Sequence, residues 1–460
     1  MTQQVTQPQS TGNLPALPKG WVWTVIGEMT DTIPLSGKKL KRSEYQEEGK
    51  VPVVDQGQSF VGGYTDREDM KIGLEQPVIV FGDHTKALKY VDFDFVAGAD
   101  GIKVIKPKEV FHPRLFYYFV RAIQLPEKGY ARHFQFLEKS LIPLPPLPEQ
   151  HRIVAKVEEL FTDLDAGIEV LNKVKVQLKR YHQAVLKHAF EGKLTAEWRE
   201  AHKHELEPAS QLLTRIGTER NRTRKRVTQI QIVPNAYRQL PSEWEYASVQ
   251  DITTLVTDGE HITPKRNDSG VLLLSARNIR DGHLSLKTVD HIAEDEYQRI
   301  SKRLCVQEDD VLLSCSGTVG RTCVAPPNLR FGLVRSVAVL RPCFGMGKYV
   351  SYALRSPFLQ EQIIHKKTQT AQANIFQGKI RQLTLPIAPM KEQQRIVEEI
   401  ELRLSIADEV ERIMERSLSQ AGRLRQSILR RAFEGKLVPQ DPSDEPADKL
   451  LERIREERAK

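Results

Sequence analysis

The chain has 460 residues, a formal net charge of +8, 40% hydrophobic and 28% charged residues. That length suits about three domains, with buried cores beneath much solvated surface. The charge permits a nucleic-acid partner without the excess of a histone-like protein, and no window approaches ~18 apolar residues, which excludes a membrane-spanning helix.

Residues 1–16 lack an apolar leader core and read as a disordered tail, so the chain is placed in the cytoplasm. A first variable region, 17–147, opens with LPKGWVWTVIGE, holds buried strands near 77–81 and 101–105 and a helix near 114–123, and ends in LIPLPPLPEQ. A long helix at 148–192 leads into a connector, 193–239, with a short helix in EPASQLLTRIGTER. The pattern then repeats. A second variable region, 240–389, opens with LPSEWEYASVQD, holds strands at 271–274, 311–314 and 333–340 and a helix at 348–355, and ends in LTLPIAPMKEQ. A second long helix at 390–435 and a tail at 436–460, with a short helix in EPADKLLERIREER, complete the chain. Residues 149–194 and 392–437 align without a gap, so the protein is a tandem duplication whose scaffold is shared and whose intervening regions diverge.

The first long helix carries an apolar seam at alternating steps of four and three: Ile153, Val157, Leu160, Leu164, Gly167, Leu171, Val174, Leu178, Tyr181 and Val185. Only Gly167 interrupts it, the signature of a coiled coil. The second copy keeps Ile396, Ile400, Ala407, Val410, Met414, Ala421, Leu424 and Ile428 in register. Arg403 and Ser417 interrupt it, and Leu404, Ile413 and Leu418 lie one position aside. Pro148 and Glu149 suit a helix start; Gly192 and Gly435 suit left-handed residues after a basic last turn. About 42 residues make a rod of roughly 60 Å that cannot bury its stripe alone. The economical partner is the other copy, antiparallel, with the variable regions held apart.

Both variable regions carry polar loops between framework segments. In the first these are SGKKLKRS (36–43), DQGQ (55–58), GDHTK (82–86) and ARHFQF (131–136). Their candidate DNA-contacting residues are Lys38, Lys39, Lys41, Arg42, Gln56, Gln58, His84, Thr85, Lys86, Arg132 and Gln135. In the second the loops are DGEHITPKR (258–266), SARNIR (275–280), SGTVGR (316–321), LVRS (333–336) and TQTAQANIFQ (368–377). The candidates there are His261, Thr263, Lys265, Arg266, Arg277, Asn278, Thr318, Arg321, Arg335, Ser336, Gln372 and Asn374. Arg and Lys match guanine, Asn and Gln match adenine, and hydroxyls and glycine-rich turns hold phosphates. A single polar loop on a globular domain is usually only solvated; the signal is that both regions carry such loops between shared framework segments.

No catalytic constellation is found. There is no phosphate-binding G-x-x-x-x-G-K-[ST], no G-x-S-x-G, no H-E-x-x-H and no Asn/Asp-Pro-Pro-aromatic run. His84 beside Asp83 and His261 after Glu260 read as contact residues rather than acid–base pairs. Cys305, Cys315, Cys323 and Cys343 show no metal-binding spacing and read as small buried side chains. The repeated FEGKL is read as a helix end rather than half a nuclease motif, and the prolines as a rigid connector rather than an SH3 ligand. Arg220, Arg222, Arg224, Lys225 and Arg226 form either a phosphate-binding run or a solvated linker.

The order of variable region, PLPPLPEQHRIVAKVEELF…AFEGKL, second variable region and LPIAPMKEQQRIVEEIE…AFEGKL resembles the DNA-specificity subunit of type I restriction-modification enzymes across residues 17–460. Residues 82–105 and 257–265 also resemble common classes of first and second target-recognition domain. The resemblance implies an α+β fold: two mixed α/β target-recognition domains separated by two long antiparallel helices forming a coiled coil, a pseudo-two-fold tandem repeat. It implies a non-catalytic subunit that reads a split, asymmetric site in double-stranded DNA. Two adenine-methyltransferase subunits would dock along the helices, with motor-endonuclease subunits added for cleavage. No cofactor is expected on this chain; S-adenosylmethionine, ATP and magnesium would serve the partners. Three alternatives stay open: a methylation-only complex, a scaffold presenting two peptide-binding domains, and a self-sufficient methyltransferase or nuclease.

Overall fold

The computed structural model describes residues 15–98, 101–126, 132–223, 239–368 and 373–459. It forms two compact units, Met1–Asn172 with Glu415–Lys460 and Lys173–Met414. Each contains one variable domain and one end of each long helix.

In the first unit an antiparallel sheet runs in the order Thr30–Thr32, Ile102–Pro107, Val78–Gly82, Leu88–Val91. A second sheet sets Val51–Val54 parallel to Val96–Gly98 and antiparallel to Gly63–Thr65. The second unit repeats this plan with Thr253–Asp258, Val337–Pro342, Val311–Ser314 and Thr322–Val324, and with Val271–Leu274 parallel to Phe331–Leu333. Helices Pro113–Ala122 and Gly347–Arg355 cover corresponding sheets. The apolar run 333–340 is therefore two strands in two sheets, Phe331–Leu333 and Val337–Pro342, joined by a turn at 334–336. Continuous hydrophobicity does not reveal a chain that changes sheets, because both halves are buried.

Each domain is closed at its base by framework strands. Val22–Val25 pairs with Leu141–Leu144, and Glu245–Ser248 with Thr384–Ile387. The prolines here sit on a short two-stranded edge, where a missing N–H is tolerated.

The long helices are Leu147–Phe190 and Met390–Phe433, 44 residues each. In the first unit Ile153, Val154 and Val157 share a core with Ile428, Leu429 and Ala432. Farther along, Asp165 pairs with Arg425, so the helices are antiparallel there. In the second unit Val185, Leu186, Ala189 and Phe190 pack with Ile396, Ile400 and Leu404, and His182 approaches Asp408 at 3.7 Å. The seam differs from the strict heptad reading. Gly167 and Tyr181 face solvent, while Ile168 and His182 are half-buried. An α-helix of 3.6 residues per turn drifts from a seven-residue repeat, so at these two turns the buried line steps over by one residue, while Leu171, Val174, Leu178 and Val185 keep the register. On the second helix Leu404 is buried in place of Arg403, while Val410, Ile413 and Leu424 are exposed. Gly192 and Gly435 end the helices at φ 72° and 65°. Lys193 N–H donates to His188 O, and Lys436 N–H to Arg431 O, closing the same left-handed cap.

The repeated Glu-Gln at each helix start has a definite role. Glu149 is buried and accepts from Trp21 Nε1 at 2.9 Å and Gln440 Nε2 at 3.2 Å. Glu392 is 0% exposed and accepts from Trp244 Nε1 at 2.8 Å, Thr195 Oγ1 at 2.7 Å and Arg199 at 2.7 Å. Gln150 and Gln393 donate to the Pro145 and Ala388 carbonyls just upstream. Each helix start thus binds the tryptophan that opens its own domain and the segment that follows the other long helix. Two carboxylates in one structural role differ in charge pairing. Burial pushes the Glu149 carboxyl above the ordinary range, outweighing its hydrogen bonds, whereas Glu392 has the Arg199 guanidinium beside it.

Candidate nucleic-acid interface

In the first domain three of the four polar loops meet. Strand Val78–Gly82 delivers Asp83 into a buried turn, where its N–H donates to Gly101 O at 2.6 Å. Its carbonyl accepts from His133 N–H, and its carboxylate from Phe134 N–H at 2.8 Å. Asp83 is therefore a joint between loops 82–86 and 132–136, and not an acid–base partner of His84. Thr85 Oγ1 donates to Gln56 O at 2.7 Å, binding loop 55–58 to the same surface. Lys86 takes φ 57° and reaches Pro126 O at 3.2 Å. Gln58, Arg132 and Gln135 are exposed; Gln56 and His84 are half-buried.

Beneath these loops lies a buried ion pair, Lys89 Nζ to Asp55 Oδ1 at 3.5 Å. Desolvation lowers the Lys89 pKa and Asp55 only partly restores it. Asp55 also accepts from Gly57 N–H at 2.8 Å, which fixes the DQGQ turn. The fourth loop presents Lys38, Lys39, Lys41 and Arg42, all exposed. Lys39 and Lys103 line a cleft of about 420 Å³ with residues 32–37, and Lys103 Nζ lies 5.4 Å from the Phe134 ring. Lys103 thus extends the basic surface between loops. The sequence reading missed it because it sits inside an apolar strand pattern.

In the second domain the loops are tied mainly by main-chain bonds. Glu260 N–H donates to Leu333 O and Arg335 N–H to Glu260 O; Gly317 N–H donates to Ala373 O and Cys315 N–H to Ser336 O. His261 Nε2 and Gln377 Nε2 both bond Asp258 Oδ1. Thr263, Lys265, Thr318 and Arg335 are exposed, Arg321 half-buried. Several candidates have other duties. Asn278 is 1% exposed, its amide donating to Ser285 O and Thr288 O and its oxygen accepting from Ser275 N–H. It is a core turn residue, which corrects its reading as a base contact. Ser336 Oγ accepts from Ala276 N–H, and Asn374 is bridged to Ser316. Arg266 and Arg277 both bind Asp290, at 2.7 and 2.5 Å. Burial pushes the Asp290 carboxyl up, but these hydrogen bonds outweigh it and hold it below the ordinary range. Gln372, Arg224, Lys225 and Arg226 lie outside the described residues; Arg220 binds Asp251 O at 3.0 Å.

Among the described residues no group of three His, Cys, Asp or Glu side chains is placed to hold a metal, and no helix is long and apolar enough to cross a membrane. Cys315, Cys323 and Cys343 are buried, and burial pushes the Cys315 and Cys323 thiols up to about 12. Cys305 is exposed, contrary to the sequence reading, because it precedes the strand rather than lying in it.

Two domains of one topology, with unlike loops on a duplicated helical frame, define a two-headed recognition protein. The family model described as "Type I restriction modification DNA specificity domain" matches residues 18–180 and again 241–404, and the chain belongs to that family. It is 27% identical to the type I restriction enzyme EcoBI specificity subunit of Escherichia coli, over 70% of this chain and 65% of that protein. It is 24% identical to the EcoKI specificity subunit of Escherichia coli strain K12, over 96% of each. Its fold is similar to a chain from a solved type I R-M system: TM-score 0.62, 19% identity, covering 92% of this chain and 100% of that one.

Proposed function

We propose that this chain is the non-catalytic specificity subunit of a type I restriction-modification complex, reading a bipartite DNA site with one domain per half. The observation that carries this is the pairing of a shared topology with divergent, mutually braced loops rich in cations and amides. Basic side chains such as Lys38, Lys39, Lys41 and Arg42 suit phosphates, and Arg335 projects from the corner between two sheets. Adenine-methyltransferase subunits would dock along the long helices. Leu402, Ile406 and Val410, exposed at four-residue spacing on the second helix, supply an apolar stripe for such docking. S-adenosylmethionine, ATP and magnesium are assigned to the partner subunits. Exchanging residues 17–145 for the equivalent domain of a relative should change one half of the methylated site and preserve the other, read by genome-wide mapping of methylated adenines. Change in both halves, or in neither, would refute independent half-site reading.

A further inference from the structure

Two large apolar side chains of the second domain stand in solvent on loops that are otherwise firmly held. Ile262 is 68% exposed and Phe376 60%. Isolated exposed hydrophobic residues are ordinary. These two are carried on loops that meet at one carboxylate. Their sequence neighbours, His261 and Gln377, donate to the same oxygen, Asp258 Oδ1.

Each loop is fixed from below. Ile262 N–H donates to Glu260 Oε1 at 3.0 Å, and that buried carboxylate lies 3.6 Å from Arg299. Arg303 donates to Gly259 O at 2.6 Å, and a Cβ at Gly259 would collide with Leu333 O. On the other side Ile375 N–H donates to Cys315 O at 2.9 Å, and the Phe376 carbonyl starts the short helix Gln377–Arg381. Arg381 anchors that helix to Val256 O at 2.7 Å. The side chains are therefore exposed on a braced backbone. Arg303 and Arg299 are paired with Asp258 and Glu260 beneath the loops, and Lys265 and Lys379 are exposed beside them in the sequence.

Exposed apolar side chains within a polar, charged surface fit the one apolar group that base edges offer in the major groove, the thymine C5-methyl. We propose that Ile262 and Phe376 form an apolar pair that receives a thymine methyl in the half-site read by residues 240–388. This rests on the reading that these loops face DNA. Asp258 sets the separation of the pair through His261 and Gln377, and the flanking cations hold the backbone of the same strand.

The test uses the assembled methyltransferase complex and a duplex carrying its mapped site. Each thymine of that half-site is replaced in turn by deoxyuridine, which removes only the methyl. One replacement should weaken binding about three- to five-fold, the effect of leaving one methyl unburied. In the I262A/F376A variant the thymine and uracil duplexes should bind equally. Both side chains are largely exposed, so the variant should fold, and an unchanged melting profile confirms it. An unaltered preference in that variant, or indifference of the parent to uracil at every position, overturns the proposal; insertion between base pairs would give the latter result. A K265A/K379A variant separates the two levels. A flattened salt slope there, with an unaltered thymine preference in I262A/F376A, keeps the interface and rejects the pair. An unchanged slope together with an unaltered thymine preference rejects both.

Discussion

Replacing Glu392 by glutamine alters one atom at the most heavily bonded carboxylate in the frame. Glu392 Oε1 accepts from Arg199 and Thr195, and Oε2 from Trp244, with the side chain fully buried. In either amide orientation an NH2 group must face at least one of these donors. The guanidinium of Arg199, 14% exposed, also loses its counter-charge. One buried donor left unsatisfied costs ~1–3 kcal/mol, and breaking a buried ion pair ~3–5 kcal/mol. Arg199 keeps its bond to Gly192 O at 2.8 Å, so about 2–4 kcal/mol is expected. That corresponds to roughly 30- to 700-fold faster local opening. Hydrogen exchange read on peptides covering 244–252 and 394–404 should show it, while peptides covering 78–91 in the other unit should not change. Glu149→Gln should cost less, since no cation binds that carboxylate directly. Its raised pKa also has a signature. A carboxyl raised by folding favours the folded state at low pH, and that contribution is lost as pH climbs from the ordinary 4.5 through the raised value. The E149Q variant should lack this decline. A loss below about three-fold for E392Q, or equal losses in the two variants, would refute the charge-pairing argument.

Deleting 171–177 together with 413–419, the heptads centred between the Asp165–Arg425 and His182–Asp408 pairs, shortens each helix by ~10 Å. On DNA that equals roughly three base pairs and about a third of a turn, so mapped methylation should leave the original site and favour a shorter spacer. Undiminished methylation at the original spacing by a folded variant would reduce the helices to a docking surface. Replacing Lys38, Lys39, Lys41 and Arg42 together should flatten the salt slope of binding by up to ~0.9 for each phosphate no longer neutralised, and an unchanged slope would remove that loop from the interface. Arg335→Ala should cost ~1–3 kcal/mol and relax one base position, whereas Arg277→Ala, whose guanidinium is held by Asp290, should relax none. The reverse ranking, measured by binding to single-base site variants, would contradict the assignment.

The frame was legible in the sequence because duplication marks it. Gly192 and Gly435, the proline-rich entries and the paired long helices could all be read from repeated residues. What Glu149 and Glu392 bind could not be read, since their tryptophans lie 128 and 148 residues away. The loops were legible as loops, but not as sites. Asn278 has the side chain of an adenine reader, yet three main-chain bonds bury it, and no local pattern announces that. Arg277 reads as the equal of Arg335 in the sequence, but only Arg277 has Asp290 beside it in the fold. Ile262 and Phe376 pass as ordinary apolar residues because exposure is a property of the folded backbone, not of the string.

The joints at the helix starts also explain how such a protein can diversify. Trp21 and Trp244, and Glu149 and Glu392, belong to segments present twice, whereas their further partners Gln440, Thr195 and Arg199 lie just beyond the repeat and differ between the copies. Gly435 beside Pro18 and Gly192 beside Pro241 repeat the same close fit, each forbidding a Cβ. Each variable domain enters and leaves through a two-stranded clasp of framework residues, Val22–Val25 with Leu141–Leu144 and Glu245–Ser248 with Thr384–Ile387. Genetic exchange with crossovers inside those clasps would deliver a new reading head into an unchanged socket. Selection can then explore new DNA sites by recombination between lineages, without re-evolving the parts that hold the heads in place.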